Sequence, residues 1–320
     1  MARIVIPVFV DNDLWYAREA WKGIIIREKR KSNTENIIFL GEDLPLELPK
    51  RMERINEWKN KGFQFGIIIV SSTALTLINE KLKGFKDFLL IAPLSCGKTS
   101  NENIFQLILA NWEVKAIKNF FKNANIDDSD IEILTDITYE EDHYFKEFKK
   151  LVNHDKKKNK RKASDVNAKT CIVIGIHKRK LILDLRNKKE TDLIITTSSF
   201  ENWLMPNRKQ MEDIYYTYPK LSSDAEIIIR EFKEEYGYRP SICALLGYDA
   251  ANIAIKSIMN GGPSYEGIKH YLIHHTFDLI TIGKISFTTK GIPYLIGKKP
   301  ENIFEIKYID KDGNFKALKE

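Results

Sequence analysis

Short, largely apolar runs separated by longer amphipathic stretches limit what this chain can fold into. From Ile4 the sequence reads IVIPVFV, too short for a helix, and similar runs recur at FGIIIV (65–70), FLLIA (88–92), IEIL (131–134) and DLIITT (192–197). Runs without polar alternation suit parallel strands buried on both faces. Between them lie segments of helical period. Trp15, Ala20, Trp21, Ile24 and Ile25 fall towards one side of a helix that Asp11, Asn12 or Asp13 could cap. Helices are also expected near 46–60, 74–83, 113–121, 140–151, 178–185 and 225–236, with strands at 37–40, 171–175, 304–309 and near Phe315. Strands alternating with helices of this length join by right-handed crossovers into parallel, doubly covered sheets. At 320 residues the chain exceeds the size at which one core stops growing, so two lobes are expected.

The stretch 242–291 is the most distinctive in its wording. Ser241 can cap a helix whose apolar positions include Leu245, Ala250, Ile253 and Ile258, and Gly261, Gly262 and Pro263 break it. Ser264 can cap a second helix, and Lys284–Phe287 alternate as a strand before Gly291. EEYGYRPS (234–241), ALLGYDAANIAIKSI (244–258) and GKISFTTKG (283–291) resemble the C-terminal third of type I periplasmic binding proteins of the branched-chain amino acid binding family. The resemblance implies two Rossmann-like α/β lobes joined by three hinge crossings, with a ligand held in the cleft between them. Lobe 1 would comprise 1–111 plus 240–283, and lobe 2 would comprise 112–239 plus 284–320. It also implies solute binding without catalysis, an ABC transporter permease as partner, and no cofactor. A cytoplasmic ligand-sensing regulator would use the same fold.

Composition agrees with a packed protein and narrows little else. The net charge of +7 is diffuse over 51 basic and 44 acidic residues, which argues for a solvated Lys-rich surface and against nucleic acid as a partner. The basic stretch 153–169 lacks interleaved aromatics and reads as a polar loop; the resembled family carries a further strand and helix there, so the resemblance implies a shortened second lobe. No run approaches the eighteen or so apolar residues of a membrane span, and no basic-then-apolar export signal opens the chain. The expected location is extracytoplasmic if a signal was removed and cytoplasmic otherwise. Cys96, Cys171 and Cys243 have neither disulfide nor zinc-ligand spacing, and the six histidines show no metal pattern.

Ligands of parallel α/β sheets lie beyond the carboxyl ends of strands, where helix N-termini offer N–H groups to anions. Ser71, Ser72 and Thr73 follow FGIIIV and open a helix, so they could cap it or hold a ligand carboxylate. By the resemblance, Ser95 and Cys96 fall where the family has a small residue and a ligand-bonding Thr; the cysteine departs from that pattern. Tyr139 matches the family's second-lobe aromatic, although Glu140, Glu141 and Asp142 replace the expected Gly-x-Gly. Ser198 and Glu201 come near the acid that meets the ligand ammonium, and Tyr16 lies near a flanking aromatic. A rival reading occupies residues 92–100, where APLSCGKTS fits a relaxed phosphate loop with Lys98 on phosphates and Thr99 on magnesium, though Ala92 replaces its first glycine.

Overall fold

The computed structural model describes residues 3–30, 36–82, 87–97, 101–127, 130–135, 143–151, 170–174, 178–188, 191–201 and 208–318. The chain divides into two compact units, Met1–Leu109 with Leu221–Gly297, and Ala110–Lys220 with Lys298–Glu320. It therefore passes from one unit to the other three times.

The first unit opens with β1 (Ile4–Val10), α1 (Trp15–Lys29), β2 (Ile37–Asp43), α2 (Leu48–Asn60), β3 (Phe65–Ile69), α3 (Ser72–Leu82), β4 (Leu89–Ala92) and β5 (Ile104–Gln106). All five strands are parallel, in the order β2-β1-β3-β4-β5. The central strands are buried along almost their whole length, which is why their sequences show no polar alternation.

The second unit follows with α4 (Ala110–Asn123), β6 (Ile131–Thr135), α5 (His143–Leu151), β7 (Thr170–Ile174), α6 (Lys178–Lys188), β8 (Leu193–Thr196) and β9 (Ile214–Pro219). The chain then returns to the first unit as α7 (Ala225–Tyr236), α8 (Ile242–Gly261), α9 (Tyr265–His274) and an antiparallel sheet of β10 (Phe277–Leu279), β11 (Gly283–Phe287) and β12 (Pro293–Leu295). A short α10 (Pro300–Ile303), β13 (Phe304–Ile309) and β14 (Phe315–Ala317) complete the second unit. Its sheet runs β14-β13-β9-β8-β7-β6 and is mixed, because β13 and β14 pair antiparallel while the other four strands are parallel.

The second and third crossings, after Lys220 and Gly297, differ from the positions read in the sequence. Helix α7 groups with the first unit through contacts to α1, including an ion pair between Arg30 and Glu231. The β10–β12 sheet groups with it through Phe105 of β5, whose ring meets that of Phe287 edge-on at 5.3 Å.

Helix α8 lies against α1 at backbone distance. A Cβ added at Gly23 would collide with the carbonyl of Ala244, and one at Gly247 with that of Ala20. By length and composition α8 could cross a membrane, yet 83% of its apolar stretch is buried, as in the core helix of a globular unit. Ser241 caps it by accepting from Ala244 N at 3.4 Å, and Ser264 caps α9 by accepting from Gly267 N at 3.2 Å. The expected cap of α1 is different. Leu14 stands at that position and makes no side-chain cap, while Asp11 is drawn into a buried ion pair with Arg51. The stretch 153–169, and with it the expected shortening of the second lobe, lies outside the described residues.

Candidate functional site

The carboxyl ends of β1, β3 and β4 converge on one edge of the first sheet. Asp11 N donates to Ile69 O at 3.0 Å, which holds the end of β1 beside the end of β3. From there the chain runs through Val70 into Ser71, whose hydroxyl accepts from Ala74 N at 3.1 Å and so caps α3. Tyr16, in the first turn of α1, hydrogen-bonds the same Ser71 hydroxyl. Burial raises the Tyr16 phenol pKa, and the neighbouring Cys243, Asp11 and Cys96 raise it further, so the phenol stays protonated and uncharged.

The serines and the cysteine brought together here mostly serve one another. Ser72 Oγ accepts from Cys96 N at 3.1 Å and lies 3.1 Å from Cys96 Sγ, tying the β4 loop to the start of α3. The Ser95 hydroxyl donates to Val70 O at 3.3 Å, and Gln106 Nε2 donates to Ser95 O at 2.8 Å and also to Gly97 O. What remains outward of this lattice is small. The N–H groups of Ser72 and Thr73, the first two of α3, have no partner among the described residues, as helix geometry requires. Both residues are half-exposed, so these donors and the partial positive charge of the helix end face an approachable edge.

The phosphate-loop pattern does not find its supporting structure. Lys98 and Thr99 lie outside the described residues, but the chain enters β5 at Ile104, where a phosphate loop would lead into a helix. The Cys96 N–H, one of the donors such a loop needs, is already bonded to Ser72.

In the second unit, Tyr139 lies outside the described residues. Ser198 donates to the buried Glu113 of α4. Glu201, expected near a ligand ammonium, is fully buried: its carboxylate accepts from Tyr216 OH at 2.7 Å and lies 3.7 Å from Lys307 Nζ. Burial and the adjacent carboxylate push the Tyr216 phenol pKa far up, which keeps it a donor to Glu201. Among the described residues, no group of three His, Cys, Asp or Glu side chains is placed to hold a metal.

No protein-family profile matches the sequence, and no curated protein matches it. Solved structures do match. The branched-chain amino acid transporter substrate-binding protein LivJ from Streptococcus pneumoniae, solved with isoleucine, has a TM-score of 0.76 at 14% identity over 100% of both chains. The fold is that of the type I periplasmic binding proteins. A solute-binding protein of an ABC transporter from R. palustris, solved with benzoate, shares it at a TM-score of 0.76 and 11% identity, over 99% of this chain and 96% of that one. So does an extracellular ligand-binding receptor from Desulfohalobium retbaense, at 0.75 and 13% identity; this chain spans 60% of its length.

Within this type I binding fold, the residues that sequence reasoning missed are Asp11, Arg51 and Gln106. Asp11 stood in view but read as a helix cap. Its partner Arg51 lies 40 positions away, a separation that no local pattern reveals.

Proposed function

We propose that the protein is a solute-binding module that takes a small carboxylate-bearing ligand, an amino acid, at the carboxyl edge of the first unit's sheet. The observation that carries this reading is the pair of unpartnered N–H groups at Ser72 and Thr73, held in place by the Ser71 cap and the Ser72–Cys96 link. Two backbone donors at a helix start match the two oxygens of a carboxylate, and the helix dipole adds to the attraction. The isoleucine and benzoate bound by proteins of the same fold share that group. Tyr16, uncharged and close to Ser71, supplies an apolar wall with a polar tip.

No covalent step is part of this reading. Its partner is the permease of an ABC transporter, which places the protein on the outer side of the membrane.

Thermal unfolding against amino acids, simple carboxylates and Mg-nucleotides tests it. A ligand at ~100 times its dissociation constant adds roughly 2.7 kcal/mol to native stability, an easily measured shift. Stabilisation by an amino acid but not by nucleotides is expected. A response to nucleotides alone would overturn the reading.

A further inference from the structure

The carboxyl edge of the first sheet carries a feature that its own packing does not use. Asp11 is 3% exposed, and only one of its carboxylate oxygens is engaged: Oδ2 accepts from Arg51 Nη2 at 2.6 Å, whereas Oδ1 has no hydrogen-bond partner. Arg51 is fixed in turn by its Nε, which donates to Pro45 O at 2.5 Å. The pair is therefore held in place, and its second acceptor is left unpaired. Asp11 follows β1, its N–H lies 3.0 Å from Ile69 O, and Ser72 comes three residues after Ile69. Its charge is felt by Tyr16, whose hydroxyl is bonded to Ser71. An unused anionic acceptor and two unused N–H donors thus lie at the carboxyl ends of the neighbouring strands β1 and β3.

We propose that Asp11 Oδ1 receives the ammonium group of an α-amino acid whose carboxylate lies on the Ser72 and Thr73 N–H groups. This rests on the solute-binding reading and adds the zwitterion to it. The alternative acid, Glu201, is occupied by Tyr216 and Lys307. The chemistry is complementary at both ends, since a buried carboxylate oxygen without a donor is costly to leave so, and an ammonium satisfies it with a charge-assisted bond. Arg51 balances the Asp11 charge before the ligand arrives.

The experiment is calorimetric titration with two probes: the L-amino acid that most raises the unfolding midpoint of the wild-type protein, and its des-amino acid, which for isoleucine is 3-methylpentanoate. In Asp11→Asn, the side chain can keep its bond to Arg51 while turning an amide N–H towards the ligand. Affinity for the amino acid is expected to fall roughly tenfold or more, and affinity for the des-amino acid to change little. Should Asp11→Asn not fold, the double variant Asp11→Asn, Arg51→Met removes both charges together and is compared in the same way. Arg51→Met alone leaves the carboxylate in place and is expected to hold or raise affinity for the amino acid. Equal affinity of Asp11→Asn and wild type for the amino acid would overturn the assignment of Asp11 and leave solute binding intact. A wild-type protein that binds the des-amino acid but no amino acid would do the same. Binding of neither would bring down both.

Discussion

Asp249, midway along α8, accepts the Thr281 hydroxyl at 2.6 Å, and the N–H groups of Ile280 and Thr281 close on the same carboxylate at 2.9 and 3.2 Å. The core helix is tied in this way to the turn between β10 and β11. Asp249→Asn keeps the shape but forfeits acceptors, leaving a buried donor unmet. A loss of about 1–3 kcal/mol is expected in urea unfolding at pH 8.

The same carboxylate gives stability a pH dependence of known sign. Burial raises its pKa to about 7, against the opposing bonds from Thr281 and Ile280. Its unfolded value is about 3.9, so between roughly pH 4 and pH 7 the native state holds more of the proton and stability falls as pH rises. Above the folded value the contribution levels off. Urea midpoints measured across pH 4–8 should lose this component in Asp249→Asn; an unchanged slope in the variant would place its origin elsewhere.

Gly23 and Gly247 let α1 and α8 meet backbone to backbone. Gly23→Ala or Gly247→Ala drives a methyl into a main-chain carbonyl, where no rotamer change can relieve it. Each is expected to cost about 3 kcal/mol, at the upper end for overpacking, read from the thermal midpoint.

Ser72 offers a way to separate side chain from backbone. Ser72→Ala deletes the hydroxyl that meets Cys96, whereas Ser72→Pro also deletes the N–H, at a first-turn position that tolerates proline. Ser72→Ala should lower stability by about 1 kcal/mol and still respond to ligand. The response should vanish in Ser72→Pro; an equal thermal shift in both variants would remove the N–H from the site.

Glu201→Gln can keep a bond to Tyr216 but withdraws the charge that faces Lys307. Lys307 retains Glu305 at 3.8 Å, so the loss falls short of a fully orphaned buried cation. A destabilisation of about 1–3 kcal/mol is expected in denaturant unfolding, partly recovered by adding Lys307→Met.

Cys171 is fully buried in β7, and that burial raises its thiol pKa to about 12. Almost no thiolate is then present at pH 8, so a thiol reagent should leave Cys171 unmodified in the native protein and label it only in denaturant. Peptide mass spectrometry reads the difference.

The fold was legible wherever one element announced itself over five or more residues. IVIPVFV and FGIIIV became β1 and β3, and the capped helices after Ser241 and Ser264 became α8 and α9. Strands β5, β10 and β12 escaped notice, since three residues carry no period; the equally short β14 was readable only from the Asp312–Gly313 turn before it. Strand β9 was missed for another reason. IYYTYP is aromatic where its neighbours are aliphatic, and it closes on Pro219, which argues against a strand although the strand ends there.

At the site, residue types showed through but their engagements did not. Ser71 was readable as a cap because Ala74 lies three residues on. Nothing local could show that the Ser72 hydroxyl is committed to Cys96, 24 positions away, or that Asp11 meets Arg51.

The close approach of α1 to α8 also sets an order of events during synthesis. Helix α1 is made within the first thirty residues, but the surface that seals its glycine face begins only at Ile242. A ribosome must add more than two hundred residues before that apolar seam can close. Over that interval the nascent first unit carries an uncovered hydrophobic stripe, a target for holding chaperones and for premature association.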